Sequence, residues 1–200
     1  GKNEKDYVET AKRISSWGVV DVLYFADSLG NMIPADVQKI CKSLKKGWSG
    51  TLGIHTHNNK ELALINAMTA VENGVTWCDG TIAGMGRGAG NASTEGLLLE
   101  MLRLGYHKGN AKMIQLAVED FTVLKNQYNW GSNLYYHYAS NHGIHPTFVQ
   151  SLLEDRRYDN QQVLGALEFL ADRDSTAYSA DGIREAIYGN QINTVGIWDA

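Results

Sequence analysis

In its first half the chain passes three times from a β-rich apolar run to an amphipathic helix, and that recurrence restricts the fold more than any other feature. Val19 to Ala26 is rich in β-branched and aromatic residues and broken only by Asp21, which predicts a strand buried on both faces of a parallel sheet. It stops at Asp27-Ser28-Leu29-Gly30. Pro34 then suits a first helical turn, and Val37, Ile40 and Leu44 form the apolar stripe of a helix ending near Gly47. The unit recurs. Thr51 to His57 reads as a strand, Asn58 or Asn59 as a helix cap, Lys60 to Glu72 as an apolar helix and Asn73-Gly74 as its stop. A third copy has a strand from Val75 to Ile82, a glycine-rich loop, and Asn91 as cap for a helix from Ala92 to Leu104. Ahead of all three, Asn3 can cap a helix with Tyr7, Ala11 and Ile14 on one face, closed by Gly18 in a left-handed turn. Strand starts near 19, 51 and 75 give the β-α spacing of a barrel or a doubly wound sheet, although three strands cannot close a barrel by themselves.

Beyond Gly105 the strand signal vanishes. Met113, Ile114, Ala117, Val118, Phe121 and Leu124 make a helical stripe, as do Val163, Leu164, Leu167, Leu170 and Ala171. His145-Pro146 opens another helix, and Ser179 caps a last short one ending at Gly189. The expected organisation is an α/β part over 1–105 and a helical region over 106–200, with no low-complexity linker between them.

Composition excludes several classes. With 18 basic and 22 acidic residues the formal charge is −4, so no global basic excess points to nucleic acid. Cys41 and Cys78 lie far apart without CxxC spacing, which fits free thiols in a reducing compartment and predicts a cytoplasmic protein. The most apolar stretch, Leu62 to Val71, is too short to span a bilayer, and Gly1-Lys2-Asn3-Glu4 does not resemble a signal peptide. No membrane partner is expected.

The sharpest chemical feature is His55-Thr56-His57 at a predicted strand end. Side chains two apart on a strand point the same way, so both imidazoles can face one ion. The plain alternative is a pair of hydrogen-bonded core histidines. Position favours the metal, because the carboxyl ends of strands are where open sheets and barrels put their chemistry. A catalytic metal also needs a third ligand and an open position. Asp27, Asp79 and Asn91 are the nearby oxygen donors, and a mixed imidazole and oxygen set suits Mn²⁺, Mg²⁺, Co²⁺ or Zn²⁺. In the loop, Gly84, Gly86, Gly88 and Gly90 alternate with other residues. Ala89 breaks the dinucleotide-binding spacing, and no Lys-Ser or Lys-Thr completes a P-loop. Contact of the loop or Arg87 with a substrate carboxylate or phosphate is the better reading, against a loop whose glycines only permit a tight turn.

Together, Ala26-Asp27-Ser28-Leu29-Gly30, Gly53-Ile54-His55-Thr56-His57-Asn58-Asn59 and Ala83-Gly84-Met85-Gly86-Arg87-Gly88-Ala89-Gly90-Asn91-Ala92 resemble, in order and spacing, the last three strand ends of the DRE-TIM metallolyase (HMG-CoA lyase-like) superfamily, closest to its 4-hydroxy-2-oxovalerate aldolase branch. The resemblance implies the last three strand-helix units of a TIM barrel, followed by helices. It implies a divalent metal held by His55 and His57, with Asn91 near or on the metal and Asp27 and Ser28 as pocket groups. The family's assisting tyrosine falls in the region of Tyr135, Tyr136 and Tyr138. The first-strand aspartate ligand and its neighbouring arginine have no counterpart before Asp27. The chain is therefore expected to be part of a longer protein, with a second chain supplying the rest as the alternative.

The implied activity is cleavage or formation of a carbon–carbon bond next to a 2-oxo acid, giving pyruvate and an aldehyde, with negligible turnover by this segment alone. The resemblance also leaves room for a partner dehydrogenase or homo-oligomer. A Claisen-type acyl transferase on the same metal site and a non-catalytic interaction module are the rival readings.

Overall fold

A computed structural model describes residues 3–106 and 108–194 of the chain, with side chains through Gly189. These residues form two compact units, one ending at Gly131 and the other beginning at Ser132.

The first unit is built on a parallel three-stranded sheet in the order β1-β2-β3. Its opening helix, α1 (Glu4–Ser15), is capped as the sequence predicts: the Asn3 side chain accepts from the Asp6 amide and the Asp6 carboxylate accepts from the Asn3 amide, 3.0 Å each. Gly18 follows at φ +68°. Then come β1 (Val22–Asp27), α2 (Pro34–Lys45), β2 (Thr51–Thr56), α3 (Ala63–Glu72), β3 (Trp77–Cys78), a 3₁₀ turn at Ile82–Gly84, α4 (Thr94–Arg103) and α5 (Ala111–Tyr128).

Register decides which side chains meet the helices. β1 and β2 pair from Val22↔Thr51 to Asp27↔Thr56, and β2 pairs with β3 at Gly53↔Trp77 and Ile54↔Cys78. Leu23, Phe25, Leu52, Ile54 and Cys78 therefore share one face and pack with Val37, Ile40, Leu44, Ala63, Ala67 and Leu97 into the core. The opposite face carries Tyr24, Ala26, Gly53, His55 and Trp77, where Tyr24 is 36 % and Trp77 55 % exposed. The expectation of a strand buried on both faces thus fails for β1, because α1, α2 and α3 all pack on one side of the sheet. The strand also starts three residues later than predicted, with Val19 82 % exposed ahead of a bend at Asp21.

Other boundaries moved for local reasons. Helix α3 begins at Ala63 rather than Lys60, since Glu61 sits at φ +61° and interrupts any earlier helical turn. Asn58 still serves the helix start by accepting the Ala63 amide at 3.2 Å. Strand β3 is cut to two residues. Beyond it the chain turns toward the start of α4, and Thr81 pairs with Ser93 instead of continuing along β2. Ser93, not Asn91, caps α4 by accepting the Gly96 amide at 3.2 Å.

The second unit contains α6 (Leu134–Asn141), α7 (Pro146–Glu154), α8 (Asn160–Ala171) and α9 (Ala180–Thr194). Its core is Ile144, Phe148, Val149, Leu152, Val163, Ala166, Leu167, Leu170, Ala186 and Ile187. Pro146 opens α7 with His145 as cap, and Ser179 accepts the Gly182 amide at the start of α9, both as read from sequence. The last helix runs past Gly189, its predicted end, to Thr194.

Candidate functional site

The carboxyl end of the sheet gathers the residues that the histidine motif singled out. His55 is the fifth residue of β2, on the face away from the helices, and His57 follows two residues later. Their ring centroids lie 4.8 Å apart with an interplanar angle of 83°, so the two imidazoles meet edge to face.

Each ring has an oxygen acceptor at Nδ1. His57 Nδ1 lies 2.7 Å from the main-chain carbonyl of Asp27 at the end of β1. A carbonyl can only accept, so Nδ1 carries the proton and the lone pair of the neutral ring is on Nε2. His55 Nδ1 lies 3.2 Å from Asp79 Oδ2, which accepts in the same way. Both rings therefore offer Nε2 as donor atom, the arrangement in which outer-shell oxygens orient metal-binding imidazoles.

Asn91 joins them through the backbone. The Asn58 amide donates to the Gly90 carbonyl at 2.9 Å, and the Ala92 amide to the Thr56 carbonyl at 3.2 Å. These bonds flank an antiparallel His57↔Asn91 pair, the ladder position at which facing side chains are closest. The Asn91 carboxamide donates to the Met85 carbonyl at 3.2 Å, which turns its amide nitrogen to the loop.

Asp27 is 1 % exposed. Its carboxylate accepts from the amides of Asn31 and Met32 at 3.0 to 3.3 Å, pinning the turn after β1. Burial pushes its pKa above the ordinary value, with those amide bonds pulling the other way. Ser28 and Arg87 are exposed, in the turn after β1 and the loop after β3. Tyr135 and Tyr138 lie on α6 in the second unit, where Tyr138 stacks on His142 with centroids 4.3 Å apart.

Three supporting residues, Tyr24, Glu95 and Trp130, had no assigned role in the sequence reading, and Asp79 has a different one. Tyr24 donates its hydroxyl to Asp79 Oδ1 at 3.0 Å. Burial first, then this bond to a carboxylate, push the Tyr24 pKa up to about 12. Asp79, one of the candidate oxygen donors, turns out to orient His55. Glu95 on α4 accepts the amide of Ala83, whose φ is +54°. Trp130 donates its indole N–H to the Ala83 carbonyl at 3.1 Å, and the Gly131 amide donates to the Gly88 carbonyl at 3.2 Å. The glycine loop is thus held at Ala83, just before it, and at Gly88 within it. Strand parity could have flagged Asp79, two residues beyond Trp77 on the same face, whereas Trp130 is reachable only through the tertiary fold.

These donors fit the imidazole side of a divalent-metal site, with two imidazoles whose Nδ1 atoms are occupied by oxygen acceptors and a carboxamide residue paired opposite His57. Among the described residues no group of three or more His, Cys, Asp or Glu side chains is placed to hold a metal ion.

The fold recurs in the carboxyl transferase domain of Rhizobium etli pyruvate carboxylase, with a TM-score of 0.74 over the whole of this chain and 36 % of that one, at 14 % identity. It also matches a crystal structure described as the N-terminal domain of a putative aldolase from Bacteroides vulgatus, with TM-score 0.67 and 30 % identity over 74 % of this chain and 50 % of that one. The HMGL-like family model matches residues 2–121, and the chain belongs to the HMGL-like family. A curated relative, the 4-hydroxy-2-oxovalerate aldolase of Carboxydothermus hydrogenoformans, is 44 % identical over 102 residues, 51 % of this chain and 30 % of that protein. The matched part therefore spans under a third of that relative's length. Among the described residues no helix is long and apolar enough to cross a membrane.

Proposed function

We propose that this chain carries the histidine side of a divalent-metal site in an aldolase or lyase that makes or breaks a carbon–carbon bond next to a 2-oxo acid. The observation that carries this reading is the shared tautomer of His55 and His57, each with Nδ1 facing an oxygen acceptor and Nε2 left with the lone pair. The names of its aldolase relatives supply the reaction class.

A bound Mn²⁺ or Mg²⁺, with Co²⁺ or Zn²⁺ as alternatives, would supply Lewis-acid stabilisation of the enolate of a pyruvate-like unit. His55 and His57 hold the ion, and Asn91 offers its carboxamide oxygen beside them. Asp27 keeps the β1 turn closed and presents its carbonyl to His57. Ser28 and Arg87 are assigned to the substrate's polar groups, and Tyr135 or Tyr138 to an assisting hydroxyl.

Among the described residues, the exposed side chains on one face of the sheet and the outer edges of β1 and β3, which pair with no further strand, support a further point. Such edges are ordinarily covered, paired or closed into a barrel. We read the sheet as three strands of a TIM barrel whose remaining strands, from the same parent chain or a second one, bring a carboxylate ligand and the base. Residues 1–200 alone are then expected to show negligible turnover, and robust metal-dependent pyruvate release by them would refute this.

Calorimetric titration of the chain with Co²⁺ tests the metal site. His57→Ala is expected to weaken binding by about tenfold or more. Unchanged affinity in His55→Ala/His57→Ala would remove the reading.

A further inference from the structure

The two histidines reach the same tautomer by different means. The acceptor for His57 is a main-chain carbonyl, which no side-chain substitution removes. The acceptor for His55 is a side-chain carboxylate that is itself held by a second side chain. In water a neutral imidazole favours the proton on Nε2, so a ring presenting Nε2 as donor needs an acceptor at Nδ1 to reverse that preference.

The fold sets up this acceptor across all three strands. Tyr24 on β1 is paired with Gly53 on β2. A Cβ at Gly53 would lie 2.4 Å from the Tyr24 ring, so the glycine allows the ring to lie across β2. The phenol thereby reaches the far side of β2 and meets Asp79, the first residue after β3. The Asp79 amide donates to the Ile54 carbonyl at 3.1 Å, fixing where its carboxylate starts. One carboxylate oxygen then takes the Tyr24 hydroxyl at 3.0 Å and the other faces His55 Nδ1 at 3.2 Å. With its two oxygens divided this way, the carboxylate has little freedom to rotate away from the imidazole.

We propose that Asp79 is a positioning residue that fixes His55 with its proton on Nδ1, and that Tyr24, lying over Gly53, holds Asp79 in place. Its value for metal binding rests on the function proposed above. The tautomer itself does not, because it is set before any ion arrives.

The test is long-range ¹H–¹⁵N NMR of the metal-free full chain at a pH where both rings are neutral, with His57 as internal reference. In the wild type both rings are expected in the Nδ1–H form. Asp79→Ala should move His55 toward Nε2–H and leave His57 where it was. Asp79→Asn, whose amide oxygen can still accept, should restore the Nδ1–H form, and Tyr24→Phe should give a mixture at His55 alone. His55 remaining Nδ1–H in Asp79→Ala would overturn the proposal. So would a change at both histidines, which would mean that Asp79 supports the site as a whole. In the same proteins Asp79→Ala is expected to weaken Co²⁺ binding by roughly 10- to 100-fold, with Asp79→Asn close to wild type. If the wild type shows the predicted tautomers and binds no Co²⁺, the metal reading falls and the positioning role stands.

Discussion

Replacing Gly90 by alanine should damage the glycine loop far more than its backbone angle alone implies, and a second glycine provides the control. Gly90 sits at φ +75°, and a Cβ there would lie 2.2 Å from the Gly84 carbonyl oxygen. An ordinary carbon–oxygen contact is about 3.3 Å, so the loop must open by about 1 Å against main chain. That displacement acts on the Asn91 amide bond to the same Gly84 oxygen, 3.2 Å, and on the Asn58 amide bond to the Gly90 carbonyl, 2.9 Å. Left-handed strain in a residue with a Cβ costs about 1–2 kcal/mol, and each hydrogen bond lost costs about 0.5–1.5 kcal/mol. Gly90→Ala is therefore expected to destabilise the first unit by about 2–5 kcal/mol. Gly105 has nearly the same φ, +78°, and a Cβ there would meet nothing within 4 Å, so Gly105→Ala should show only the strain, about 1–2 kcal/mol. Both residues lie within 1–131, so urea unfolding of that unit reports on both. Equal losses in the two variants would refute the close approach of Gly90 to Gly84 and, with it, the loop geometry that sets Asn91 opposite His57.

Two further outcomes follow from the same unit. The Cys78 thiol is pushed up to about 11 by burial, with Asp79 adding to the effect, so at pH 8 its thiolate fraction is about 100-fold below that of an ordinary cysteine. Iodoacetamide should label it correspondingly slowly in the folded chain and at the normal rate in urea, with the native rate rising about tenfold per pH unit toward 11; equal native and unfolded rates would refute this. Trp130→Phe removes the indole N–H given to the Ala83 carbonyl at a cost of about 1 kcal/mol. It should speed hydrogen exchange at the Gly131 amide, which is bonded to Gly88, and unchanged exchange there would mean that Trp130 does not tether the loop.

What the sequence made legible was what strands and caps encode locally. The alternation at His55 and His57 and the left-handed stop at Gly18 depend on a few adjacent residues, as does the Asn3 cap, and each follows from local geometry. Asn91 shows where local reading ends. Asparagine before a helix is a good cap, yet the loop delivers Asn91 to His57 and leaves capping to Ser93. Nothing near Asn91 distinguishes these outcomes, because the deciding bonds come from Thr56 and Asn58, more than thirty residues earlier. Tyr24 was hidden for the same reason. Its meeting with Asp79 depends on register across three strands and on the absence of a side chain at Gly53. The face assignment of β1 failed because a run of apolar residues does not say how many of its faces the helices will cover.

Strand parity ties the site to the fold more tightly than the motif alone does. On β2 the residues Leu52, Ile54 and Thr56 turn toward the helices, where Leu52 and Ile54 are core and the Thr56 hydroxyl donates to the Ala63 carbonyl at 3.1 Å. Gly53 and His55 turn the other way, with His57 continuing their alternation past the strand end. A slip of one residue would exchange the two sets. It would bury two imidazoles among apolar side chains, expose Leu52 and Ile54, and place Ile54 where the Tyr24 ring now lies over Gly53. Each of those changes is unfavourable by itself. The burial that selects the register therefore also selects the face on which His55, His57 and Asp79 assemble, and the orientation of the imidazoles comes from the same contacts that hold the sheet in place.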